Sequence, residues 1–157
     1  MFKQPKKSPW GKVKYCEQLY PGVFDVSTAE HGGIMVMKEI AAVILSPAAQ
    51  KCGFKKKGFI NFEEDTQAAV VERELLDMRI WEVPSRFENK NDYEKMINDS
   101  LKQYNPEYWQ ARENSMNKIV ARDKPGNSLL AQVKENQDIV KNQNDTHITT
   151  KKEITEL

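Results

Sequence analysis

Two cysteines and two histidines are all that the 157 residues offer of the side chains most used for nucleophilic and metal chemistry. Cys16 and Cys52 form no Cys-x-x-Cys pair, so a set drawn from Cys16, His31, Cys52 and a carboxylate lacks the close ligand spacing of a structural zinc site. A Walker loop, a Gly-x-Ser-x-Gly elbow and a Gly-x-Gly-x-x-Gly fingerprint are also missing, which removes the common nucleotide-binding and acyl-transfer chemistries. No apolar run nears the ~18 residues of a membrane span, and Ile40-Ala41-Ala42-Val43-Ile44-Leu45 is far too short. The basic start Met1-Phe2-Lys3-Gln4-Pro5-Lys6-Lys7 is followed by neither an apolar region nor a small-residue cleavage site. These absences predict a cytoplasmic protein with free, partly buried thiols, and they call for no cofactor, no metal and no membrane.

What is present is polar. Hydrophobic residues make up 39% and charged residues 30%, with a mean hydropathy of −0.72, which allows one folded domain and leaves some chain unpacked. The net charge of +1 hides a polarity. Residues 1–60 hold ten lysines against Glu17, Asp25, Glu30 and Glu39, net +6, whereas residues 61–157 hold fourteen basic and nineteen acidic groups, net −5. A basic half suits phosphate, and an acidic half suits a basic groove on another protein.

Along the chain, residues 1–9 read as a flexible basic arm ending near Trp10. Val13 to Leu19 and Val23 to Val26 alternate around Pro21-Gly22, a hairpin pattern. Ile34 to Val36 supplies a third strand, and Lys38 to Leu45 a short buried helix. Ser46-Pro47 starts the next helix, because serine can cap free amides and proline has no amide hydrogen to leave unsatisfied; Gly53 stops it. Phe59 to Phe62 is a strand with alternating aromatics. A helix follows, capped by Asp65 or Thr66, with Ala68, Val71 and Leu75 on one face. Met78 to Val83 reads as a further strand closed by Pro84. Tyr93, Met96, Ile97, Leu101 and Tyr104 define an amphipathic helix, and Asn105-Pro106 ends it and starts another that carries Tyr108 and Trp109 toward the core. Trp81 is assigned to the core as well. Beyond Arg122, Asp123-Lys124-Pro125-Gly126-Asn127 breaks the pattern, so 10–121 is the α+β domain and 122–157 a polar tail, with a sparse helix near 128–141.

Two clusters carry the candidate chemistry. Thr28-Ala29-Glu30-His31-Gly32-Gly33 places an imidazole before a glycine pair that permits a positive-φ turn. Such a turn can present backbone amides to an anion or the ring as acid, base or ligand; it also makes an ordinary link between strands. Glu63-Glu64-Asp65 can supply a general base or bind a cation if it faces His31, and it can equally complement the dipole of the helix that follows. Lys55-Lys56-Lys57, flanked by Phe54 and Phe59, has the basic and aromatic mixture of a nucleic-acid surface, or of a solvated loop.

Trp10, Pro21-Gly22-Val23-Phe24, Val26 to Ile34 with its Thr-x-x-His-Gly-Gly, and Phe62-Glu63-Glu64-Asp65 together resemble an uncharacterised domain family of bacterial phages, plasmids and integrative elements. The similarity spans about residues 10–110. It implies a cytoplasmic accessory protein of a mobile element that modifies a host process or a competing defence system.

The expectation is therefore a small, mainly antiparallel sheet packed on two or three helices, with binding residues Thr28, His31, Gly32, Gly33, Glu63, Glu64 and Asp65. The preferred function is a non-enzymatic interaction protein of a phage or mobile element, an inhibitor of a nuclease-based defence whose partner is a nucleic-acid-binding host or defence protein. One alternative is a small hydrolase using His31 with Glu64 or Asp65, metal-dependent or not. The other is direct DNA contact through the basic N-terminal half, with Lys55, Lys56 and Lys57.

Overall fold

The N-terminal alternation pairs as it predicts. The computed structural model describes residues 2–123. Strands β1 (Lys7–Ser8) and β2 (Gly11–Lys12) make a two-stranded ladder. Strands β3 (Tyr15–Tyr20), β4 (Val23–Ser27), β5 (Gly32–Met37), β6 (Phe54–Lys56) and β7 (Phe59–Glu63) make one antiparallel sheet in the order β3-β4-β5-β7-β6. Helices α1 (Lys38–Ile44) and α2 (Pro47–Cys52) interrupt the strands between β5 and β6, and α3 (Ala68–Asp77), α4 (Lys90–Tyr104) and α5 (Pro106–Asp123) follow the last strand. The fold is α+β.

The chain divides into a unit of residues 1–111, which holds the sheet and α1 to α4, and a unit of residues 112–157 whose described part is the end of α5. The polar tail expected from 122, with its helix near 128–141, lies outside the described residues from 124 onward.

Register sorts the sheet into two faces. Val23 pairs with Val36, Val36 with Ile60, and Ile34 with Phe62, so these five point one way and meet α1 to α4. Ala41, Ala49, Ala68, Val71, Leu75, Ile97 and Leu101 complete that core, joined by Tyr108 of α5. Phe24, Val26 and Met35 point the other way and are covered by Trp10 and Val13. The N-terminal segment is therefore the lid of a second, smaller core. Lys7–Ser8 lies inside the span expected to be a flexible arm, and Val13 N donates to the Lys6 carbonyl at 3.1 Å.

Several local signals act as read. Ser46 Oγ accepts from Ala49 N at 3.1 Å ahead of Pro47, and α2 ends at Gly53. Gly22 turns the β3–β4 hairpin with φ +83°. Trp81 and Trp109 are half-buried against the core, and Cys16 and Cys52 are free and half-buried.

Three readings are corrected. Helix α3 begins after Gln67, not on an Asp65 or Thr66 cap. The Thr66 hydroxyl instead donates to Glu63 Oε2 at 2.8 Å, and Gln67 N donates to the Glu63 carbonyl. Met78 to Val83 is not a strand. Arg79 takes φ +59°, its amide bonds the Leu76 carbonyl, and Ile80 N bonds the Leu75 carbonyl, a Schellman reversal that turns the chain and leads Val83 into the core. Finally, Lys55 and Lys56 lie on the edge strand β6, while Lys57 (φ +51°) and Gly58 (φ +83°) form its two-residue turn to β7.

Candidate functional site

The turn before β5 is built by Thr28. Its amide and its hydroxyl both donate to the His31 carbonyl at 2.7 Å, and the hydroxyl accepts from His31 N at 3.2 Å and Glu30 N at 3.4 Å. Thr28 is thereby committed to holding the loop, a side-chain turn that leaves Ala29, Glu30 and His31 exposed.

Gly32 and Gly33 do not supply the positive-φ turn that their pairing predicts. Both are buried in β5, and the described glycines with positive φ are Gly11, Gly22 and Gly58. Their requirement is space. A Cβ on Gly32 would lie 2.5 Å from the Val26 carbonyl oxygen and 3.0 Å from Glu64 Oε2, and one on Gly33 would overlap the Phe62 carbonyl oxygen and the Trp10 ring. The backbone amides of the pair are in the sheet and not at an anion cradle.

The two clusters do come together. Gly33 pairs with Glu63, and Glu64 N donates to the Gly32 carbonyl at 3.1 Å. Thr28 to Gly33 and Glu63 to Asp65 are therefore neighbours at one end of the sheet. One carboxylate oxygen from each of Glu63, Glu64 and Asp65 lies within 4.8 Å of the others, an oxygen set that suits a hard cation. Glu63 is already occupied by the Thr66 hydroxyl. Glu64 and Asp65 are exposed.

A second acidic group, which no sequence motif marks, adjoins this end. Asp25 sits on the helix-facing side of β4, paired with Glu17 on β3 and Ile34 on β5. Burial, reinforced by Glu17 and Glu64 and opposed by Arg86, pushes its pKa up to about 6. Glu72 of α3 accepts the Tyr93 hydroxyl at 2.9 Å, and burial carries its pKa up to about 7, against the lowering effect of that bond and with a further push from Asp25. Tyr93 is raised in turn by burial and by Glu72. Phe87 lies against Tyr93 with ring centroids 4.6 Å apart, and the Arg86 guanidinium stands 5.1 Å from the Phe87 centroid. The signal was in the pattern: Asp25 occupies the core-facing alternation of Val23 and Ser27, and Glu72 stands four residues after Ala68 and three before Leu75, on the buried stripe.

Chemically, Glu17 and Glu64 bear on Asp25, and Asp25 bears in turn on Glu72, so that two carboxyls are held ready to exchange protons near neutrality. Arg86 is the cation whose field reaches Asp25. Lys55, Lys56 and Lys57 are not part of this group; they lie on the edge hairpin β6–β7. Among the described residues, no helix is long and apolar enough to cross a membrane.

A family model for a domain of unknown function, DUF7007, matches residues 3–136, wider at both ends than the span of about 10–110 read from the motifs. No curated protein and no solved structure matches the chain. With most of its length under that model, the chain belongs to the DUF7007 family, a domain of unknown function.

Proposed function

We propose that this chain is a non-enzymatic accessory protein of a phage or other mobile genetic element, which binds a basic, nucleic-acid-handling protein of the host or of its nuclease-based defence. One observation carries the reading: the Glu64 amide on the Gly32 carbonyl joins two separate loops into a single exposed acidic edge, with Glu30 on one and Glu64 and Asp65 on the other. Acidic edges of this kind favour partners whose grooves are positive. The Thr28 hydroxyl and the Glu63 carboxylate serve their own turns.

The hydrolase reading keeps one supporting feature, that His31 and Glu64 flank the same glycine. The two readings separate on variants. Affinity capture from the native host with the wild type and with Glu30→Lys/Glu64→Lys/Asp65→Lys should lose one specific macromolecular partner in the variant, while His31→Ala retains it. Identical capture by the wild type and the charge-reversed variant would rule the proposal out.

A further inference from the structure

On the sheet face opposite α1 to α4, β1 of the β1–β2 ladder and Pro9 border a cavity of about 90 Å³ shared with Met35 and Phe59 and with Lys56 and Lys57. That space equals roughly three waters at the ~30 Å³ each takes in the liquid, which suits one tetrahedral oxyanion and not a nucleoside. The charge around it is unbalanced. Lys7 stands directly across the ladder from Lys12, an arrangement that costs stability when nothing shields it. None of Lys7, Lys12, Lys56 and Lys57 has a carboxylate within ion-pair distance among the described residues. Lys57 stands in the positive-φ turn with Gly58 and Lys56 beside it on β6, so two of the three lysines come from one hairpin.

We propose that the cavity bordered by β1 binds a phosphate group, held by the ammonium groups of Lys7, Lys56 and Lys57. Lysine binds phosphate as a point charge, and three such charges around one small space attract a doubly charged anion without requiring a planar fork. The Ser8 hydroxyl is not among the ligands, because it donates to the Gly11 carbonyl at 2.9 Å and accepts from Trp10 N. Met35 and Phe59 give the cavity an apolar lining, which strengthens the field of the lysines around it. The phosphate can be a free anion or one unit of a nucleic-acid backbone. This site lies on the other face of the sheet from Asp25 and Glu72, so it stands or falls independently of the acidic edge.

The test is an amide chemical-shift titration of the full chain with sodium phosphate, and separately with a short oligothymidylate, each against sodium chloride at matched ionic strength. Phosphate is expected to move the amides of Lys7, Ser8, Lys56, Lys57 and Gly58 beyond the chloride control. Lys56→Gln/Lys57→Gln, and separately Lys7→Gln, should weaken that response roughly tenfold, while Lys51→Gln on α2 leaves it unchanged. Saturation by the oligonucleotide at far lower concentration, through the same amides and with a steep salt dependence, assigns a nucleic-acid backbone. Saturation by phosphate alone assigns a free anion. Shifts equal to those in chloride, or a response that survives in both lysine variants while the rest of the spectrum shows them folded, would overturn the proposal.

Discussion

The Tyr93 hydroxyl of α4 donates to Glu72 Oε2 of α3 at 2.9 Å, within the field of the Asp25 carboxylate, whose charge opposes ionisation of Glu72. Two helices and the sheet thus meet at a carboxyl that prefers to keep its proton. The folded pKa of Glu72, about 7, stands above its ordinary 4.5. The stabilisation that comes with its protonation is complete below pH 4.5 and disappears as pH rises through about 7. Asp25, raised from 3.8 to about 6, acts in the same direction over a lower window.

Urea unfolding from pH 5 to 8.5 should therefore show the wild type losing stability relative to Glu72→Gln as pH rises, by about 2–3 kcal/mol over the whole range. Glutamine keeps an acceptor for Tyr93 but does not ionise. Parallel stability curves for the two proteins would contradict the buried-carboxyl account.

Arg73 is the guanidinium that ties α3 to α4. It is 6% exposed, and donates to Asp77 at 3.1 Å, to Asn98 at 3.1 Å and to Glu94 at 2.9 Å. Arg73→Ala leaves two carboxylates and an amide oxygen without their shared donor, at a cost of about 3 kcal/mol. Arg73→Lys should recover less than half of that, because one ammonium cannot reproduce three divergent donors. Thermal unfolding measures both, and full rescue by lysine would show that charge alone sufficed.

Reading the sequence succeeds where a residue's role is local. Ser46-Pro47, Gly53, Pro21-Gly22 and Asn105-Pro106 mark boundaries because caps and turns are decided within a few residues, and the Ala68-Val71-Leu75 stripe places α3 for the same reason. Local reading fails where the partner is distant in sequence. Gly33 is glycine because of Trp10 and the Phe62 carbonyl, and neither contact has a signature near position 33. Asp25 and Glu72 stand at inward-facing positions of a strand and a helix, but only the packing of α3 on the sheet makes them one acidic group. The adjacency of the His31 loop and Glu64 is a register fact between β5 and β7, which motifs can propose but spacing cannot supply.

The end of α3 offers a stabilising change. Arg79 adopts φ +59° at the position of a Schellman motif where glycine is usual, while its neighbours make both of the motif's hydrogen bonds. Relieving the left-handed strain with Arg79→Gly should raise stability by about 0.5–1 kcal/mol, and Arg79→Ala should not. Chemical denaturation of the two variants checks this, and an equal effect from alanine would point to the charge of the side chain instead of its backbone.

Gly33 separates two explanations of a glycine. If conformational freedom is what position 33 needs, the cost of Gly33→Ala is indifferent to its neighbours. If close packing is what it needs, the cost depends on what stands above it. The Trp10 ring and the Phe62 carbonyl both lie where the new methyl would go, so Gly33→Ala should cost about 2–3 kcal/mol through displacement of Trp10. In a Trp10→Ala background the ring is gone and the carbonyl remains, so the added cost of Gly33→Ala should shrink by at least ~0.5 kcal/mol. A double-mutant cycle read by urea unfolding gives that coupling directly. Strict additivity would mean that Trp10 is not what excludes a side chain at position 33, and that its role as lid of the smaller core does not extend to the glycine pair.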